Sequence, residues 1–83
     1  MSVIKYPYIT EKTTVIIDEM NVLTFIVDVR AKKPQIKREI EKLFDVTVTS
    51  VKTMITNNGN KKALITLSEE DSAGELISRL GVF

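Results

Sequence analysis

Hydrophobic residues along this chain switch between two periods, and the switches mark out its elements. In V-L-T-F-I-V-D-V, residues 22 to 29, Leu23, Phe25, Val27 and Val29 fall on one side, with Thr24 and Asp28 on the other. That alternation predicts a half-buried strand. Before it, Ile9, Thr13, Ile16, Ile17 and Met20 share one side of a helix if the chain winds from about Thr10 to Met20. Thr10 is a suitable cap and Glu11 suits the positive end of the helix dipole, although the β-branched run Thr13 to Ile17 makes this a weak helix former.

The second helix is predicted after R-A-K-K-P, with Pro34 at its first position and Asp45 at its end. Ile36, Ile40, Leu43 and Phe44 form an apolar stripe on an otherwise charged surface. Residues 46 to 56, V-T-V-T-S-V-K-T-M-I-T, read as a strand in which Val46 and Val48 are in phase and Val51 is not. The break predicts a bulge, or a strand that starts near Val48. Asn57-Asn58-Gly59-Asn60 is a hairpin turn, because Asn and Gly tolerate positive φ. Residues 61 to 67, K-K-A-L-I-T-L, return with Ala63, Ile65 and Leu67 on one face.

Ser68-Glu69-Glu70-Asp71 then reads as a cap followed by an acidic first turn. Ala73, Leu76, Ile77 and Leu80 form the stripe of the last helix, Gly81 suits the position after its end, and Val82-Phe83 is expected to pack back. The order is helix, strand, helix, strand, strand, helix. Placing the third strand between the first two makes both pairings antiparallel and keeps the crossover right-handed. The expected fold is α+β: a small antiparallel sheet of three main strands, with the hairpin 48–67, covered by helices in an α/β sandwich. No linker or repeat divides residues 1 to 83, so a single domain is expected.

Composition narrows the function. The chain contains neither cysteine nor histidine. That removes disulfides, thiolate chemistry, the commonest general base and the commonest transition-metal ligand together. An enzyme is not expected, nor a cofactor, a metal or a small-molecule substrate. The longest apolar stretches are far short of the roughly 20 residues that span a bilayer, so no membrane insertion is expected. Residues 1 to 8, M-S-V-I-K-Y-P-Y, do not resemble a secretory signal, and the expected address is cytoplasmic.

The net charge of +1 conceals an asymmetry. Residues 1 to 67 carry eleven Lys and Arg against seven Asp and Glu, whereas residues 68 to 83 carry one against four. A polyanion meeting one side of the molecule fits that division. Arg30, Lys32, Lys33 and Lys37 cluster at the start of the second helix, Lys52, Lys61 and Lys62 lie on the hairpin, and Lys5 and Lys12 flank Tyr6 and Tyr8. RNA phosphates attract such clusters, and tyrosines can stack on a base or lie against sugar. The plainer reading is a solvated basic surface with tyrosines covering the core. No aromatic ribonucleoprotein motif lies on K-K-A-L-I-T-L, so bases stacked on an open sheet are not expected.

Glu39 and Glu41 are read as partners in solvated ion pairs with Lys37, Arg38 and Lys42. Metal binding by Glu69, Glu70 and Asp71 is disfavoured, since acids in the first turn of a helix already serve its dipole. Acylphosphatase-like chemistry at Arg30 is a distant alternative that lacks its glycine loop.

Several segments taken together resemble the ribosomal protein twenty-three family of the large subunit. They are I-K-Y-P-Y-I-T-E-K from Ile4, F-x-V-D-x-R-A-x-K from Phe25, F-D-V-x-V from Phe44 with V-K-T from Val51, and K-K-A-L-I-T-L-S from Lys61. The likeness runs from Ile4 to Phe83, and the short hairpin turn resembles compact archaeal members rather than bacterial ones, whose long basic loop enters the exit tunnel.

The resemblance implies a structural constituent of the large ribosomal subunit that binds large-subunit rRNA at the rim of the nascent-chain exit tunnel. It also implies neighbouring large-subunit ribosomal proteins as partners, and a docking platform for signal recognition particle and the translocation channel. By motif position it implies rRNA contacts at Lys5, Tyr6, Thr10, Lys12, Arg30, Lys32, Lys33, Lys37, Lys52, Lys61 and Lys62, with partner docking at Asp18 and Glu19. Shape and backbone recognition of folded RNA is the expected mode. The alternative is a free-standing RNA- or protein-binding α+β module that is not on the ribosome.

Overall fold

A computed structural model of the chain describes residues 2–81. Its elements are β1 (Ile4–Pro7), α1 (Glu11–Met20), β2 (Val22–Val27), α2 (Lys33–Phe44), β3 (Val48–Ile55), β4 (Lys61–Leu67) and α3 (Ala73–Arg79). The four strands form one antiparallel sheet in the order β1-β2-β4-β3. The expected α+β class and the placement of the last strand between the other two are both found. Among the described residues no helix is long and apolar enough to cross a membrane.

The first strand is the main addition to the sequence reading. Ile4 pairs with Val27, Tyr6 with Ile26 and Pro7 with Phe25, with a register shift at Lys5 between the first two pairs. Asp28 N–H donates to the Val3 carbonyl at 2.8 Å and Tyr8 N–H to the Thr24 carbonyl at 2.9 Å, extending the ladder at both ends. A strand of four residues with a proline is a poor sequence signal, yet Pro7 is tolerated because β1 lies at the sheet edge.

With β1 on one side and β4 on the other, β2 is interior, and all six of its residues are buried. Its odd positions Leu23, Phe25 and Val27 join Ala63, Ile65 and Leu67 in the main core, with Ile36 and Ile40 of α2 and Leu76 and Ile77 of α3. Phe25 and Phe44 stack there with ring centroids 6.0 Å apart. This is the front face. On the back face, Thr24 is opposite Leu64, and both border a pocket with Ile16 of α1. So Thr24, expected on a solvated side, is buried under α1.

Several apolar positions expected in stripes are outside the core. Val29 is half exposed because β2 stops at Val27 and the chain turns: the Asp28 carboxylate accepts the Arg30 N–H at 2.8 Å, and Ala31 N–H donates to the Asp28 carbonyl at 2.9 Å. Leu43, Met20 and Leu80 are exposed as well, each lying beyond the single line of its helix that meets the sheet or a neighbouring helix. Ile36, Ile40 and Phe44 keep that line on α2.

The helix ends follow simple rules, with two corrections. Thr10 caps α1, its Oγ1 accepting the Thr13 N–H at 3.1 Å while Thr13 Oγ1 accepts the Thr10 N–H at 2.8 Å. Asp45 ends α2 in the left-handed region at φ 54°, and Pro34 is the second helical residue rather than the first. The cap of α3 is Ser72, whose Oγ accepts the Glu75 N–H at 3.1 Å, not Ser68. Ser68 to Asp71 form a turn of their own, closed by Asp71 N–H on the Ser68 carbonyl at 3.1 Å. Strand β3 begins at Val48, with its register shift between Val48 and Ser50, so the phase break does mark a bulge and a late start. Gly81 has φ 75°, as expected beyond a helix end. The packing expected of Val82 and Phe83 lies outside the described residues.

Candidate nucleic-acid interface

The sheet register brings basic and aromatic side chains onto its back face. Residues directly opposite one another in neighbouring strands share a face, so Tyr6, Ile26, Lys62 and Met54 form one row across all four strands. Lys52 belongs to the next row, opposite Leu64. Lys62 Nζ stands 4.8 Å from the centre of the Tyr8 ring, a cation–π contact that holds the ammonium beside Tyr8. Lys12 of α1 borders the same face, in a pocket it shares with Thr24, Met54 and Lys62. Since α1 covers only the middle of this face, Tyr6, Met54 and Lys52 remain exposed.

A second basic group sits where β2 hands over to α2. Lys32 is the residue before the helix, with its backbone N–H donating to Gln35 Oε1 at 2.9 Å. Lys33 and Lys37 follow one turn apart, above Thr49 and Val51 of β3. No acid occupies the first turn of α2. The positive end of the helix dipole therefore adds to these lysines instead of being offset. Arg30 is exposed but committed to Asp28: its Nε donates to Asp28 Oδ1 at 3.3 Å, the one salt bridge among the described residues. That hydrogen bond, together with the Arg30 N–H and the nearby charge of Lys5, holds the Asp28 carboxyl below its ordinary 3.8 and raises Arg30.

The sequence-predicted residues are therefore not one patch of equals. Tyr6, Lys12, Lys52 and Lys62 gather on the back face, and Lys32, Lys33 and Lys37 at the start of α2. Lys5 and Arg30 lie near Asp28. Thr10 is used as a helix cap. Lys61 differs most: it is on the front-face register of β4 and donates to the Ala31 carbonyl at 2.6 Å, tying the β2–α2 loop to the sheet.

Charge divides between the two ends of the sheet. Lys61 and Lys62 begin β4 at the end where β2 leaves for Arg30, Lys32 and Lys33. At the other end, where β2 begins and β4 stops, lie Asp18 and Glu19 at the close of α1 and the exposed Glu69 and Glu70. Asn21 organises that acidic end. It adopts φ 58°, its Nδ2 donates to the carbonyls of Ser68 at 3.0 Å and Asp71 at 2.9 Å, and its Oδ1 accepts the Ala73 N–H at 2.8 Å. Nothing in a lone asparagine after a helix signals three partners some 50 residues away.

Two acids expected in solvated ion pairs do something else. Glu39 Oε2 accepts the Val3 N–H at 2.8 Å and Glu41 Oε2 the Val48 N–H at 3.0 Å. Each carboxylate satisfies a backbone donor where a strand begins or its lead-in meets α2.

Residues 2–69 match the family model described as ribosomal protein L23. A large ribosomal subunit protein uL23 of Methanospirillum hungatei is 49% identical over 80 residues, covering 96% of this chain and 98% of its own. The uL23 of Methanococcoides burtonii is 48% identical over 82 residues, covering 99% of both chains. That of Halobacterium salinarum is 49% identical over 82 residues, covering 99% of this chain and 98% of its own.

Proposed function

This chain belongs to the ribosomal protein L23 family as an archaeal-type member, and from that premise we propose that it binds large-subunit rRNA through its basic back face and the start of α2. Membership makes it a structural, non-enzymatic constituent of the large ribosomal subunit, whose partners are the ribosome's RNA and its other subunit proteins. The proposed address is the cytoplasm, on the ribosome, at the rim of the nascent-chain exit tunnel. The acidic end, with Asp18 and Glu19, is left facing outward for signal recognition particle and the translocation channel.

The observation that carries this reading is that α1 and α2 both bear charges opposed to their own dipoles. Lys32 and Lys33 sit at the positive end of α2, while Asp18 and Glu19 sit in the last turn of α1, which holds no basic residue. Each such placement costs the free protein a few tenths of a kcal/mol, about 0.3–1 kcal/mol at low salt. Charges held against local stability are understandable where a partner of opposite sign offsets them. A polyanion at the lysine end and a basic partner at the acidic end would do so.

Lys12, Lys52 and Lys62 supply further phosphate contacts in this reading, and Tyr6 lies against sugar or base. Lys61 acts indirectly, by holding the loop that presents Lys32 and Lys33. The turn of residues 56–60, closed by Thr56 N–H on the Asn60 carbonyl at 2.8 Å, is too short to reach far into a tunnel.

Sedimentation of a lysate through a sucrose gradient at low and high salt tests the reading. Co-migration of the chain with the large subunit, retained at high salt, is expected. Recovery at the top of the gradient at both salts would replace the ribosomal placement with a free RNA-binding module.

A further inference from the structure

The two edges of the sheet are built differently. Strand β1 is only four residues long and carries Pro7 and a register shift at Lys5. Those are devices by which natural sheets blunt an edge against further pairing. Strand β3 is the longest of the four, at eight residues, and its one irregularity lies near its start, between Val48 and Ser50. From Ser50 to Ile55 it pairs regularly with β4 and contains no proline. Among the described residues no strand pairs with its outer side.

The hairpin fixes which backbone groups that outer side presents. Thr56 N–H donates to the Asn60 carbonyl at 2.8 Å, so residue 56 faces β4. Inward and outward residues alternate in an antiparallel pair. Met54 and Lys52 therefore bond to β4, while Val51, Thr53 and Ile55 turn their N–H and carbonyl groups outward. These donors are spaced by roughly 6.5 Å, close to the step between successive phosphates of a nucleic-acid strand. Cations flank them on both faces. Lys33 and Lys37 of α2 border a trough with Thr49, Ser50 and Val51 on the front, and the exposed Lys52 lies on the back. No carboxylate borders that trough.

We propose that the open edge of β3 takes an unpaired strand of the bound RNA, whose phosphates accept from the N–H groups of Val51, Thr53 and Ile55 and whose ribose 2′-hydroxyls donate to their carbonyls. The inference rests on the rRNA-binding reading above and adds a backbone-mediated subsite to it. Each outward residue offers one donor and one acceptor, and an RNA nucleotide supplies the matching acceptor and donor. A neutral peptide strand would also satisfy the edge, but it would leave the three lysines unmatched. No side chain reads a base here, so the site selects RNA without selecting its sequence.

The test uses the full chain and its own large-subunit rRNA transcribed in vitro. Amides exchange with deuterium in the complex and are read by NMR after quench and release of the protein. The Val51, Thr53 and Ile55 amides exchange fast in the free protein and slow about tenfold or more in the complex. Consecutive riboses of one RNA segment lose reactivity toward acylation of the 2′-hydroxyl. Thr53→Pro removes one outward N–H at an edge position, where proline is tolerated. It restores ribose reactivity and weakens binding about tenfold, the worth of one hydrogen bond to a charged group, with the salt slope unchanged. Thr53→Ala keeps the N–H and binds as the wild type does.

Outward amides that exchange as fast in the complex as in the free protein would overturn the proposal and leave rRNA binding intact. Slowing that rises with protein concentration in the absence of RNA would overturn it in favour of β3 pairing between two copies. Slowing that appears only with other large-subunit proteins would overturn it in favour of strand addition by one of them. Absence of any salt-dependent RNA binding by the wild type would instead overturn the underlying reading.

Discussion

Lys61 and Lys62 are adjacent in the chain and belong to opposite faces of the sheet. Lys61 donates from Nζ to the Ala31 carbonyl at 2.6 Å, whereas Lys62 holds its Nζ 4.8 Å from the centre of the Tyr8 ring. One lysine is a strut of the fold and the other is a half-buried cation on the proposed RNA surface. Strand geometry alone separates them, since neighbouring side chains point to opposite faces.

Substituting them should therefore give opposite phenotypes. Lys61→Met removes a charged hydrogen bond to a backbone carbonyl and should lower stability by about 1–2 kcal/mol, seen as a lower urea midpoint. Lys62→Met should leave the midpoint within about 0.5 kcal/mol and weaken RNA binding. Equal losses of stability in the two variants would contradict the assignment.

Reversal of Lys32 and Lys33 to Glu should do two things of opposite sign. Removing two phosphate contacts flattens the dependence of log K on log salt by about one and a half to two. Placing acids at the start of α2 favours its dipole and raises stability by about 0.5–1 kcal/mol. Filter binding across salt and urea denaturation of the same samples check both effects. Reversal of Glu69 and Glu70 to Lys, at the other end of the sheet, should leave RNA binding unchanged or improve it.

Asn21 should be a large single-site contributor to stability. Asn21→Ala loses the bonds to Ser68, Asp71 and Ala73 and leaves at φ 58° a residue that tolerates the left-handed region less well than asparagine. A loss of about 2–4 kcal/mol is expected. Asn21→Gly relieves the backbone but not the bonds, so it should recover only about 1 kcal/mol of that. Full recovery by glycine would mean that conformation, not the side-chain clamp, is what matters.

The Asp28 carboxyl should titrate below 3.8, held there chiefly by the Arg30 side chain. With the folded value depressed, its contribution to stability is present above the ordinary carboxylate value and is lost as pH falls through the folded one. Carbon-13 titration of the Asp28 carboxyl checks this, and Arg30→Met should move the midpoint back up. An unmoved midpoint would leave the backbone N–H of residue 30 as the main cause.

The sequence alone determined the elements whose signal is local. The alternation in residues 22 to 27 and 61 to 67, the Asn-Gly turn, the phase break before Ser50 and the threonine cap at Thr10 each depend on neighbours a few residues away. Such features survive in a one-dimensional reading because side-chain period and backbone preference act locally. The family segments were legible for a different reason, since a motif is itself a linear string.

Tertiary structure decided everything that depends on pairing across the chain. Strand β1 is fixed by the edge that β2 offers to Ile4, Tyr6 and Pro7, since four residues that favour extension do not make a strand without a partner. Thr24 became buried because α1 crosses above it, and Leu43 stayed exposed because one sheet meets only one line of α2. Glu39 and Glu41 accept backbone N–H groups because strand starts left those donors unpaired beside α2. Basic residues could be counted from composition, but which of them are free and which are struts follows from sheet parity and from a carbonyl 30 residues away. Contacts of that kind arise only after the chain has closed on itself, where the unmet hydrogen bonds of one segment select the side chains of another.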